Sequence, residues 1–262
     1  MPSIDVPLER GRFGQTARRD LWWLQPLLTF LALGTFVVYA TWAGLQGVHY
    51  THGPYLSPFY SPILFTNFPG ESSWFGATPK WIPVWVTGAM LILWAPGGFR
   101  LTCYYYRGAY YKAFWADPPS CTVGEPRKRY RGERSFPLII QNIHRYFLYI
   151  GILFIGLLAH DAWKGFFGFK DGFQIRVGSI VLLVNVILLA GYTFGCHSLR
   201  HLIGGIKDRL ARHPVRRHAY DCVSCLNRRH MIWAWCSLFW VAFSDLYVRM
   251  CSMGIWPDWK IL

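Results

Sequence analysis

Between Leu21 and Gly70 the chain carries no Asp, Glu, Lys or Arg. A soluble fold must clothe its surface with charge, and such domains average about 25% charged residues. Here the whole chain of 262 residues has 15%, against 53% hydrophobic. The aromatic and aliphatic content excludes disorder, because so much apolar surface drives burial. What remains is a polytopic membrane protein. The formal net charge of +14 would point to nucleic acid on a soluble protein. Here the cations sit between apolar runs, as in cytoplasmic loops, so nucleic acid is not expected as a partner.

A bilayer core of about 30 Å takes about 20 helical residues. Five stretches qualify: 21–48, 81–106, 139–164, 177–203 and 230–253. The second contains Pro96-Gly97-Gly98 and is expected to kink there. The first is too long for a signal-peptide core and reads as a permanent anchor. The Lys and Arg residues sort by side. Four lie in the N-terminal arm, eight between Arg100 and Arg134, one is Arg145, and eight lie between Arg200 and Arg229, so 21 of the 27 share one face. The basic face is cytoplasmic. The expected fold is an all-α bundle of five transmembrane helices forming a single domain over 1–262. Its N-terminus is cytoplasmic and its C-terminus outside. The cytoplasmic loops are 107–138 and 204–229, and the outer loop is 49–80.

His and Cys residues gather toward the cytoplasmic ends of the spans. His144 opens the third, His197 and His201 close the fourth one turn apart, and His230 opens the fifth. Cys103 and Cys196 lie at comparable depth, and Cys222-Val-Ser-Cys225 follows in the loop. A Cys-x-x-Cys bend can set two thiolates on one metal. Cytoplasmic thiols are kept reduced, so a disulfide is not expected. Three chemistries fit. One is a structural Cys₂His₂ zinc site. Another is a Rieske-type [2Fe-2S] cluster, with two Cys on one iron and two His on the other. The third is a haem b held by two imidazoles of facing helices. The expected ligands are Cys222 and Cys225 with two of His144, His201 and His230, and His197 and Cys196 as alternates. Asp245, an acid inside the fifth span, can pair with Arg249 one turn later. Asp245 and His160 are candidates for a quinone or proton path, since intramembrane ionisable groups are costly.

Two blocks carry a resemblance: Cys103-Tyr-Tyr-Tyr-Arg-Gly-Ala-Tyr-Tyr-Lys-Ala-Phe-Trp115 with Pro118-Pro-Ser-Cys121, and Tyr130-Arg-Gly-Glu-Arg-Ser-Phe-Pro-Leu-Ile-Ile-Gln-Asn-Ile-His-Arg-Tyr146. With Cys222-x-x-Cys225 and five spans, they resemble the membrane-anchor subunit of actinobacterial succinate dehydrogenase, a respiratory complex II. The resemblance implies a bacterial plasma-membrane protein that docks a FAD flavoprotein and an iron–sulfur subunit and delivers their electrons to quinone. Arg127, Lys128, Arg129, Arg216 and Arg217 are then expected to meet those partners and anionic lipid. Cysteine beside histidine departs from the usual haem-bearing anchors, and this favours the Rieske-type cluster.

Overall fold

The computed structural model describes residues 12–67, 72–126, 135–136, 138–205 and 210–262. In chain order its helices are α1 (Leu24–Gln46), α2 (Gly88–Ile92), α3 (Trp94–Leu101), α4 (Tyr104–Phe114), α5 (His144–Phe167), α6 (Val177–Phe194), α7 (His197–Gly204), α8 (Pro214–Arg228) and α9 (His230–Ser252). A short hairpin, β1 (Thr51–His52) and β2 (Tyr55–Leu56), lies between α1 and α2. Among the described residues four helices are long and apolar enough to cross a membrane: Leu24–Gln46, Ile139–Phe167, Val177–Phe194 and His230–Ser252. The lengths follow from a rise of about 1.5 Å per residue across a core of about 30 Å.

The expected second span, 81–106, is not one helix. Residues 81–86 are non-helical, α2 ends at Ile92, and α3 resumes at Trp94. Pro96 accounts for the interruption. It has no N–H to offer the carbonyl of Ile92 four residues earlier, and its ring crowds that carbonyl. The break therefore falls before the Pro-Gly-Gly triplet. A second break follows at Thr102 and Cys103, where Cys103 is extended (φ −65°, ψ 131°). The expected fourth span, 177–203, also stops early. Its helix ends at Phe194, and Cys196 is extended (φ −67°, ψ 140°) before α7 begins. His197 and His201 thus belong to a separate short helix.

The chain divides into two units, Met1–Thr35 with Leu101–Asn142, and Phe36–Arg100 with Ile143–Leu262. In the first, Arg18 donates to the Ser120 hydroxyl (2.7 Å) and the Cys121 carbonyl (3.1 Å). The N–H of Gly14 meets the carbonyl of Gly124 at 3.0 Å. Tyr110, Tyr111 and Trp115 form an aromatic cluster, and the Gln141 amide donates to the Tyr110 hydroxyl.

In the second unit α6 packs against both α5 and α9. Apolar helices in lipid associate by close packing, which small residues permit. At Gly191 a Cβ would stand 2.5–2.8 Å from the Trp233 ring, so only glycine lets α6 approach α9 there. At the far end of these helices Asp258 fastens the C-terminal segment. It accepts from the N–H of Gly178 (3.0 Å) and from the hydroxyls of Tyr247 (2.9 Å) and Tyr55 (2.9 Å). A carboxylate there also complements the N-terminal dipole of α6. Burial pushes the Tyr55 phenol upward, which keeps it a donor.

Candidate functional site

Asp245 and Arg249 are both fully buried on α9, and Arg249 Nε stands 3.4 Å from Asp245 Oδ2. An isolated charge in such a place is prohibitive, so every face must be answered. The Tyr39 hydroxyl donates to Oδ2 (2.6 Å) and the Ser57 hydroxyl to Oδ1. Arg249 donates to the carbonyls of Val48 (2.9 Å) and Ala43 (3.3 Å) and lies over the Trp42 ring. These contacts bind α9 to α1 and to the segment after it. His160 is exposed, 3.9 Å from the carboxylate of Asp161, which accepts from Ser61.

A different group forms where α5 and α9 begin. His144 is the first residue of α5 and is buried. Its Nε2 lies 3.0 Å from the sulfur of Cys196, which is 2% exposed. Gly195 ends α6 and turns the chain, so that the extended Cys196 presents its thiol toward α5. The His144 ring stacks on Phe99 of α3, with centroids 4.8 Å apart and planes 10° from parallel. Phe99 meets Tyr192 of α6 edge-on at 5.4 Å. Tyr192 in turn stacks on His230, the first residue of α9, at 5.0 Å. Arg100 lies 4.7 Å from the Tyr192 ring centroid and donates to the Ala234 carbonyl (3.2 Å) and the Ser237 hydroxyl (2.9 Å). Two imidazoles, a buried thiol and a cation are thereby fixed around two aromatic rings. The contact of imidazole nitrogen with sulfur joins two groups that each bind metals well.

The remaining expected residues are placed differently. His197 and His201 are exposed, and Arg145 Nη2 stands 3.0 Å from Nδ1 of His201. Cys222 and Cys225 are exposed on α8, where Cys222 stands 3.8 Å from His218. Arg216 and Arg217 are exposed on the same helix. Arg127, Lys128 and Arg129 lie outside the described residues. Among the described residues no three His, Cys, Asp or Glu side chains stand close enough to hold one metal ion.

The family described as "Actinobacterial succinate dehydrogenase subunit SdhC" matches residues 24–254, from the start of α1 to just beyond α9. The chain belongs to this family. It is therefore the membrane-anchor subunit of a succinate dehydrogenase, a multi-pass protein rather than a self-sufficient enzyme. A solved structure, "Mycobacterium smegmatis Sdh1 complex in the apo form", is similar at 41% identity with a TM-score of 0.89. The match covers 98% of this chain and 97% of that one. Among curated proteins none matches.

Sequence reasoning did not single out Phe99, Arg100 or Tyr192. Arg100 did carry a signal. It is a lone cation behind an apolar run, and such groups face a bundle interior or a polar partner. The two aromatics had none, because aromatic residues abound throughout the chain.

Proposed function

We propose that this SdhC family member docks the flavoprotein and iron–sulfur subunits and hands their electrons to quinone through a redox centre at the His144 end of its helices. The observation that carries the reading is the buried contact between His144 Nε2 and Cys196 Sγ at 3.0 Å.

The donor set suits a Rieske-type [2Fe-2S] cluster, which takes two thiolates and two imidazoles. His144, His230 and Cys196 would supply three of these. When bound, the cluster supplies one-electron transfer at a potential raised by its imidazole ligands. The chain's own part is to orient the ligands and exclude water. Phe99 and Tyr192 hold the two rings by stacking, and Arg100, anchored on α9, keeps Tyr192 in place. A haem b would need both imidazoles to aim a nitrogen at one iron from opposite sides. His144 Nε2 instead faces a sulfur, which favours the cluster.

With the Lys- and Arg-rich side facing the cytoplasm, this end of the helices faces the soluble subunits. The exposed Arg216 and Arg217 suit an acidic partner surface. Asp245 lies fifteen residues along α9 from His230, about 22 Å at the helical rise. His160 lies sixteen residues along α5 from His144, about 24 Å by the same rise. Both therefore stand apart from this centre.

The test is the whole complex carrying His144→Ala and His230→Ala. Succinate oxidation with an artificial dye should persist while quinone reduction is abolished and iron content falls. Quinone reduction at the wild-type rate would remove both histidines from the path. Zinc bound in place of iron would favour a structural site.

A further inference from the structure

At the Phe167 end of α5, within the second unit, a cavity of about 380 Å³ lies between that helix and the β1–β2 hairpin with the loop that follows it. Its size falls in the range of about 300–1,000 Å³ typical of ligand pockets. His160, Asp161 and Lys164, close neighbours on α5, all open on it. Asp161 lies seventeen residues along α5 from His144, about 26 Å at the helical rise. That is the far boundary of a bilayer core of about 30 Å, and the outer one when the basic face is cytoplasmic. Trp163 of α5 and Trp74 of the cavity wall are exposed at this end. Indoles gather at the level of lipid headgroups.

Only one oxygen of the largely buried Asp161 carboxylate is answered. Oδ2 accepts from the Ser61 hydroxyl, whereas Oδ1 has Nδ1 of His160 at 3.9 Å, past hydrogen-bond reach. Among the described residues the Lys164 ammonium makes no hydrogen bond or ion pair. Asp161 and Lys164 share a helix face, three residues apart, where opposite charges ordinarily meet. Here each is left open to the same cavity.

We propose that this cavity binds the headgroup of an ethanolamine phospholipid of the outer leaflet. The phosphate meets Lys164, and the ammonium donates to Oδ1 of Asp161. Hydrogen bonds assisted by charge are the stronger class. Two carbons separate phosphate from ammonium in that headgroup, which suits charges less than one helical turn apart. Leu157, one turn deeper in the bilayer than Asp161, also lines the cavity and gives the acyl chains an apolar way out. Ser72 and Ser73 belong to the loop side of the wall, so a bound headgroup ties that loop to α5. Selectivity comes from the carboxylate. A choline headgroup has no N–H to donate to it, and a glycerol headgroup brings it no cation.

The test uses the intact complex, stripped of lipid in detergent. It is titrated with ethanolamine, choline or glycerol phospholipids of the same acyl chains, and uptake is read by native mass spectrometry. The wild-type complex should take up one ethanolamine lipid at a concentration about tenfold below the other two, the scale of one hydrogen bond to a charged group. Asp161→Asn keeps a partner for Ser61 and should bring ethanolamine uptake to the choline level. Lys164→Gln, at an exposed position, should weaken ethanolamine uptake about tenfold by removing the phosphate contact. Succinate–dye activity reports assembly of each sample, and Lys164→Gln decides alone where Asp161→Asn does not assemble. Equal uptake of the three lipids by the wild-type complex overturns the proposal, as does unchanged ethanolamine uptake in an assembled variant. Free phosphoethanolamine should compete only at far higher concentration, because the acyl chains add to the lipid's hold. Competition at equal concentration overturns the assignment to a lipid.

Discussion

His144 Nε2 and Cys196 Sγ lie 3.0 Å apart although 52 positions separate them in the chain. The contact joins the first residue of α5 to the break after α6, and both groups are buried. Serine at position 196 preserves a hydrogen bond to the imidazole but is a poor ligand for iron. Cys196→Ser should therefore leave the complex assembled while removing the redox centre and quinone reduction. Cys222→Ser and Cys225→Ser, made at exposed positions on α8, should retain both. The opposite pattern, read by iron analysis and quinone assays on the purified complexes, would move the site to α8.

The Asp245–Arg249 pair makes a second prediction, about stability. Removing one partner leaves the other buried and unpaired, which costs about 3–5 kcal/mol. Arg249→Leu should thus sharply lower the thermal midpoint of the solubilised complex. Asp245→Leu with Arg249→Leu should recover part of the loss, because no charge is then stranded. A proton-path role would instead show as lost quinone turnover in Asp245→Asn at unchanged stability.

Gly191 permits the approach of α6 to the Trp233 ring. Gly191→Ala forces the indole or the helix to shift, an overpacking cost of about 1–3 kcal/mol. Its neighbour Tyr192 carries the stack to His230. The variant should therefore lose quinone turnover along with stability. A complex with wild-type midpoint and turnover would show that this contact is slack.

On α8, Arg216→Glu with Arg217→Glu should weaken binding of the soluble subunits. The dependence of that binding on ionic strength should flatten, because rim charges act mainly through steering and screening. Co-sedimentation of the subunits at two salt concentrations reads this directly. Unchanged binding at low salt would assign these arginines to lipid headgroups.

Hydropathy located four of the long helices because lipid demands an uninterrupted apolar run. It could not see where those runs break. Pro96 interrupts the helix before itself rather than at the triplet that contains it. Gly195 ends α6 nine residues before the hydropathy does. Those breaks decide the site. Read as one helix, 177–203 puts His197 and His201 in the bundle and gives Cys196 no special place. Read as two, it exposes both histidines and buries the thiol. The Cys-x-x-Cys spacing drew attention to α8, because local motifs are visible in sequence. The His144–Cys196 contact is long-range and leaves no spacing to find. His144, His230 and Asp245–Arg249 were legible, since polar groups inside apolar runs must be answered by partners.

In the proposed electron path, imidazoles of this chain carry the electrons to quinone. The complex, prepared with isotopically labelled histidine nitrogen and reduced by succinate, can be examined by pulsed EPR. The account predicts an iron–sulfur signal coupled to two histidine nitrogens, lost in His144→Ala and in His230→Ala. Iron–sulfur signals without histidine coupling in the wild-type complex, or haem bands in its optical spectrum, would contradict it.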